Sequence, residues 1–87
     1  MNTTVYSKPS CVQCTATYRA LKKDEIVHTS VDISEDAEAY DFVTKELGHS
    51  AAPVVVVRDG DEIVKHWSGF KRDHVSAIKT GEWPVEN

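Results

Sequence analysis

Apolar positions fall in short blocks along the chain, and the period within each block changes from one to the next. Thr3–Lys8 carries Val5 and Tyr6, residues that favour extended backbone, and predicts a strand ended by Pro9 and Ser10. From Val12 to Lys23 the period is helical. Val12, Ala16 and Ala20 recur at i+4, Cys14, Tyr18 and Leu21 at i+4 and i+3, and Lys22 and Lys23 suit the negative end of the helix dipole. Ile26–Asp32 is β-branched and predicts a second strand. Asp32 (with Glu35 three positions on) or Ser34 is expected to cap a second helix. Its apolar face would be Ala39, Val43 and Leu47, flanked by Tyr40 and Phe42, and Gly48 would stop it. Pro53 then opens a run of valines, Val54–Val57, that fits a strand buried on both faces. Asp59-Gly60 predicts a two-residue hairpin turn and Glu62–Trp67 its return strand. A last helix is expected over Lys71–Thr80, with Val75 and Ile78 inward and Gly81 just past its end. Residues 1–81 would then be a single domain, and 82–87 a loose tail.

The element order is β-α-β-α-β-β-α. The first β-α-β unit requires parallel strands and a right-handed crossover, and the hairpin makes the last two strands antiparallel. The expected class is α/β: a four-stranded mixed sheet with its three helices distributed over both faces. This order resembles the thioredoxin-like fold. Eighty-seven residues leave room for one core of this kind. The net charge of −4 and the absence of a basic run argue against nucleic acid or an anionic membrane as partner. The longest apolar run, Ala51–Val57, is far short of the roughly 18 residues that a membrane span needs. Met1-Asn2-Thr3-Thr4 does not read as a secretory signal, so a cytoplasmic location is expected.

The chain has two cysteines, Cys11 and Cys14, spaced C-x-x-C. In a reducing compartment that spacing points to redox chemistry or metal binding. Cys11 falls where the first strand gives way to the first helix. Unsatisfied N–H groups gather there, and they favour a thiolate over a thiol. Lys8 adds positive charge nearby. Residues i and i+3 of a helix face each other, which places Cys14 within reach of a disulfide but deeper. Cys11 is thus the expected nucleophile on a substrate disulfide and Cys14 the resolving thiol. Half of a zinc site is the competing reading. It lacks a second C-x-x-C, and His28, His49, His66 and His74 lack the H-x₃₋₅-H spacing, so no metal is expected and each histidine reads as an exposed polar residue. Trp67-Ser68-Gly69-Phe70 admits two readings: a core segment with a glycine turn, or an apolar loop bordering the active site.

Three segments together, Lys8–Cys14, Ala52-Pro53-Val54-Val55 and Trp67-Ser68-Gly69-Phe70, resemble the NrdH-redoxins, glutaredoxin-like proteins with thioredoxin-like activity. The resemblance runs from the first strand to the last helix. It implies a cis bond between Ala52 and Pro53, where backbone can pair with an extended client segment. It implies a monomeric cytosolic carrier with no bound cofactor, taking electrons from NADPH through thioredoxin reductase to class Ib ribonucleotide reductase. It makes Lys8, Val12, Gln13, Ala52, Pro53 and Trp67 to Phe70 partner-binding residues. Two departures stand out. Lys71-Arg72-Asp73 replaces the family's Arg-Pro-Asp, removing a helix-starting proline, and the Arg58–His66 hairpin is longer and more charged than the family's.

A conventional glutaredoxin is the nearest alternative. Such proteins carry C-P-Y-C, T-V-P and a Gly-Gly followed by acidic residues for the amine end of glutathione. Here the corresponding residues are Cys-Val-Gln-Cys, Ala51-Ala52-Pro53 and Ser68-Gly69-Phe70-Lys71, and Lys8 alone suits a glutathione carboxylate. A metal-binding module using the cysteine pair with external ligands, and a redox-sensing adaptor, are the non-enzymatic alternatives.

Overall fold

The computed structural model describes residues 2–81. The expected tail, 82–87, lies outside the described residues. Strand β1 (Asn2–Ser7) is followed by α1 (Val12–Lys23), β2 (Thr29–Asp32), α2 (Ala37–Asp41) with a π-helical continuation (Phe42–Glu46), β3 (Val54–Asp59), β4 (Glu62–Ser68) and α3 (Arg72–Thr80). The sheet order is β2-β1-β3-β4. β1 pairs parallel with β2 and antiparallel with β3, and β3 pairs antiparallel with β4. This is the thioredoxin-like arrangement that the element order implies.

The valine run explains why both faces are covered. Val55 and Val57 point to a layer holding Val5, Leu21, Trp67 and Val75, which α1 and α3 close. Val54 and Val56 point the other way, to Tyr6 and Val43, with Phe42 and Leu47 packed against them. Alternation of side chains along one strand thereby seeds two cores, one on each face of the sheet, where the chain length suggested room for one.

Several elements differ from expectation, each for a local reason. β2 begins at Thr29, three residues late, because Ile26 belongs to the end of α1. The Ile26 N–H bonds the Leu21 carbonyl at 2.9 Å and the Glu25 N–H bonds that of Lys22 at 3.1 Å, with Glu25 at φ +57°. That is a Schellman ending, with a glutamate in the left-handed position. Val27 is left almost fully exposed. The cap of α2 is Asp36, whose carboxylate accepts the Ala39 N–H at 3.0 Å. Asp32 instead accepts the Ser34 N–H and hydroxyl at 2.8 and 2.6 Å, turning the chain out of β2. The second helix widens at Phe42, where the Leu47 N–H reaches back five residues to the Phe42 carbonyl at 3.1 Å. Within the same turn Thr44 donates its hydroxyl to the Tyr40 carbonyl at 2.8 Å. The wider turn lets Phe42, Val43 and Leu47 all face the sheet. Gly48 ends the helix at φ +76°.

In the hairpin, Asp59 pairs with Glu62, so the turn residues are Gly60 and Asp61, one position later than expected. A bulge follows, and the register shifts between Val57 and Arg58. On α1 the buried stripe is Cys14, Thr17, Ala20 and Leu21, whereas Val12 projects into solvent. Thr17 is buried because its hydroxyl has a partner, the Gln13 carbonyl at 2.9 Å. α3 starts at Arg72 without proline and without a side-chain cap. Arg72 there makes a two-pronged bond to Asp24, at 2.7 and 3.0 Å, tying the start of α3 to the end of α1.

Candidate active site

Chain direction places the reactive pair. β1 ends at Ser7, Lys8 to Ser10 turn the backbone with Ser10 at φ +56°, and Cys11 stands at the N-cap of α1. Its sulfur accepts the N–H of Cys14 at 3.1 Å, occupying the place a serine or aspartate oxygen takes in ordinary caps. Cys11 and Cys14 form a disulfide, with Cα atoms 5.2 Å apart. Cys11 is half-buried, and Cys14 is 3% exposed. The Cys11 carbonyl accepts both the N–H and the hydroxyl of Thr15, at 3.1 and 3.2 Å, which fixes the first turn.

Three segments that are distant in sequence meet here. The Ala52 carbonyl lies 3.8 Å from the Cys11 sulfur, and the Ala52–Pro53 peptide bond is cis. The Pro53 carbonyl accepts the Gly69 N–H at 2.8 Å. Next in the chain, the Phe70 N–H donates to the side-chain oxygen of Gln13 at 3.0 Å. Gly69 has φ +84°, and a Cβ there would stand 3.1 Å from that same oxygen. The C-x-x-C turn, the proline turn and the loop after β4 thus form one ring of contacts around the disulfide.

The residues expected to contact partners divide by depth. Lys8, Val12, Gln13 and Phe70 are exposed, and Ala52, Ser68 and Gly69 half-buried. Pro53 is buried, and Trp67, at 3% exposure, belongs to the core with Val5 and Val55. Trp67 is therefore no part of a docking face. It occupies an inward position of β4, where a large apolar side chain does more as core than as surface. Lys8, Cys11, Val12, Thr15 and Tyr18 border a shallow cleft of about 450 Å³ beside the disulfide.

The histidines also depart from the reading of lone exposed residues. His74 is buried, its ring 5.0 Å from that of Trp67. His49 Nε2 and His66 Nδ1 share a hydrogen bond of 2.8 Å. Partial burial, and then the neighbouring His66 and Lys71, hold the pKa of His49 below its usual 6.5. The two lie 17 positions apart, and no spacing motif signals the pair, because it depends on the π-helical turn and the hairpin register. Among the described residues, no three His, Cys, Asp or Glu side chains gather where a metal ion could sit. No helix of the described residues is long and apolar enough to cross a membrane.

The family model for glutaredoxin matches residues 3–63. The chain belongs to the glutaredoxin family, with the NrdH-redoxins. It is 39% identical over 77 residues to the glutaredoxin-like protein NrdH of Lactococcus lactis subsp. cremoris (strain MG1363), an alignment covering 86% of this chain and 96% of that one. It is 42% identical over 75 residues to the Gene 56 protein of Mycobacterium phage L5, covering 86% and 69% of the two chains. The solved structure of the glutaredoxin-like protein NrdH-redoxin from Escherichia coli, a protein described as having a thioredoxin-like activity profile, superposes with a TM-score of 0.78. That match has 29% identity and covers 90% of this chain and 95% of the other. An NrdH-type glutaredoxin with its C-x-x-C pair at a helix start is a thiol–disulfide oxidoreductase.

Proposed function

We propose that this protein is a monomeric cytoplasmic electron carrier that takes electrons from NADPH through thioredoxin reductase and delivers them to class Ib ribonucleotide reductase. In this reading Cys11 and Cys14 themselves carry the electrons, and no bound cofactor takes part. In the reduced protein the Cys11 thiolate attacks one sulfur of the client disulfide. The client S–S bond breaks, and the other client sulfur leaves as a thiolate. Cys14, deprotonated, then attacks the Cys11 sulfur. The second client thiolate leaves, the Cys11–Cys14 bond forms, and two electrons have passed to the client. The reductase returns them.

The difference in depth between the two sulfurs supports the division of roles, since only Cys11 opens toward solvent. The observation that carries the choice of reductant is the loop after β4. It carries the exposed apolar Phe70, whose N–H is held by Gln13, the chain neighbour of the exposed Val12 in the cysteine turn. An apolar contact surface suits a macromolecular reductase. Where a glutathione site would hold acidic residues for the amine end, the chain has Phe70 and the cation Lys71. Arg72 is engaged by Asp24 and does not contribute to that repulsion. Lys8, exposed beside the cleft, is left as the group that would favour glutathione.

The test is NADPH oxidation in two coupled systems, thioredoxin reductase against glutathione with its reductase, with ribonucleotide reductase or insulin as acceptor. Faster turnover with thioredoxin reductase is expected. Equal or faster turnover with glutathione overturns the proposal in favour of a conventional glutaredoxin. Alkylation of the reduced protein at mildly acidic pH tests the roles of the sulfurs: Cys11 is expected to react first, and preferential labelling of Cys14 reverses the assignment.

A further inference from the structure

The loop after β4 meets the cysteine turn through hydrogen-bond donors. The Gly69 N–H is taken by the Pro53 carbonyl, an interaction within the fold's own backbone. The Phe70 N–H is different. It lies at the surface, and its acceptor is a side chain, the carboxamide oxygen of Gln13, which reaches across from between the two cysteines. A backbone N–H beside a reactive disulfide, next to the exposed cation Lys71, is a suitable donor for a carboxylate. In this chain a neutral, tethered acceptor already fills that position, and it sits close against Gly69, 3.1 Å from where a Cβ would be.

We propose that Gln13 is a specificity-determining residue: its carboxamide occupies the Phe70 N–H and so withholds that donor from small thiols that carry carboxylates, glutathione among them. The inference rests on the reading of the protein as a partner of a macromolecular reductase, and it gives that preference a residue. A docking protein meets the loop as a preformed surface. A small anionic thiol must find individual charges and donors, and here one of them is closed. The effect belongs to binding of the attacking thiol and leaves the chemistry of the sulfur unaltered.

The reaction that reads it needs no reductase. A glutathione thiolate attacks the Cys11 sulfur of the oxidised protein, the Cys11–Cys14 bond breaks, and Cys14 leaves as a thiolate and takes up a proton. A second glutathione thiolate attacks the glutathione sulfur of this mixed disulfide, and Cys11 leaves as a thiolate. The protein gains two electrons, and two glutathiones are oxidised to one disulfide. The first step is followed by acid quench and mass spectrometry, with glutathione and, separately, with 2-mercaptoethanol, a thiol without charged groups. The quantity compared is the ratio of the two rates. Gln13→Met keeps the length of the side chain and removes the acceptor. Gln13→Ala removes the side chain at an exposed helical position that alanine suits. Both are expected to raise the ratio about tenfold, as a newly available charge-assisted N–H···carboxylate bond would. Gln13→Glu keeps an acceptor on the Phe70 N–H and adds a negative charge, so its ratio is expected to stay at or below that of the wild type. An unchanged ratio in both Gln13→Met and Gln13→Ala overturns the proposal, as does a rise in Gln13→Glu equal to theirs. The choice of reductant is judged on the wild-type protein in coupled turnover, whereas this ratio compares variants without a reductase, so the two readings fail separately.

Discussion

Arg72 grips Asp24 through both carboxylate oxygens, at 2.7 and 3.0 Å, across the gap between the start of α3 and the end of α1. The same guanidinium reaches Ser76 one turn on, at 3.2 Å. A proline at this position would preset the backbone of the helix start, whereas the arginine fixes the helix to its neighbour. The Arg72 hydrogen bond and charge hold the carboxyl of Asp24 below its usual 3.8. A carboxyl with a lowered folded value stabilises the protein above its unfolded value, and this contribution disappears as pH falls through the folded one. Arg72→Ala is therefore expected to lower the urea midpoint modestly at neutral pH and low salt. The difference from wild type should shrink in high salt, and as pH falls below 3.8 and on through the lowered folded value of Asp24. Midpoints across a grid of pH and salt check this, and a difference that persists at both extremes would assign the loss to packing.

His49 responds to pH over a different range. Its folded pKa lies below the usual 6.5, so the unfolded chain takes up its proton first as pH falls. Stability is expected to decline as pH drops below about 7 and to level off once the folded form is also protonated. The groups acting on it are His66, which shares its hydrogen bond, and Lys71. His49→Gln should flatten the thermal midpoint between pH 7 and pH 5, within about a degree or two once carboxylate effects common to both proteins are subtracted. A wild-type slope that survives in the variant would contradict the assignment.

Glu25 holds a left-handed backbone at φ +57° without the freedom of glycine. Left-handed backbone costs an L-residue roughly 1–2 kcal/mol, and glycine loses back about 0.5–1 kcal/mol through the greater freedom of its unfolded chain. Glu25→Gly is expected to stabilise the protein by about 0.5–1 kcal/mol in chemical denaturation. Its position at the far end of α1 from the disulfide predicts unchanged thiol exchange. A destabilised Glu25→Gly would mean that the glutamate side chain contributes more than its backbone costs.

Val12 is 85% exposed, although apolar, on the helix turn that carries both cysteines. Val12→Asp is expected to raise KM for thioredoxin reductase about tenfold or more, as expected when a charge enters the apolar centre of a docking face. The rate with 2-mercaptoethanol should change far less. Steady-state kinetics with purified reductase measure the split, and equal losses in both assays would point to damage at the disulfide itself.

How much of this was legible in the sequence varies with the range of the interaction involved. Val54–Val57 announced a strand with two buried faces because alternation is a property of four adjacent residues. The C-x-x-C spacing of Cys11 and Cys14 narrowed the chemistry to redox or metal, and the place of Cys11 at a helix start, with no further ligand pair in the chain, favoured redox. Contacts across the chain were less accessible. Nothing local tells that Gln13 will meet Phe70, or His49 meet His66, since each depends on the register of β4 beside β3. Asp32 and Ser34 are the caps that the sequence offers, whereas Asp36 takes that place, because Asp32 closes β2 and turns the chain out of it. Trp67 admitted a core and a surface reading, and the outcome turns on the face of β4 that it occupies. The π-helical turn at Phe42 shows only in the bond from the Leu47 N–H back to the Phe42 carbonyl, which no hydrophobic period records.

β3 is the seam of both cores, and the cis-linked Ala52–Pro53 turn that faces the Cys11 sulfur leads directly into it. The reactive centre is therefore anchored to the least replaceable part of the molecule. Shaving a methyl from either face of this strand loosens the footing of the carbonyl opposite Cys11 as well as a layer of the interior. Damage to the interior and damage to electron transfer should travel together along β3.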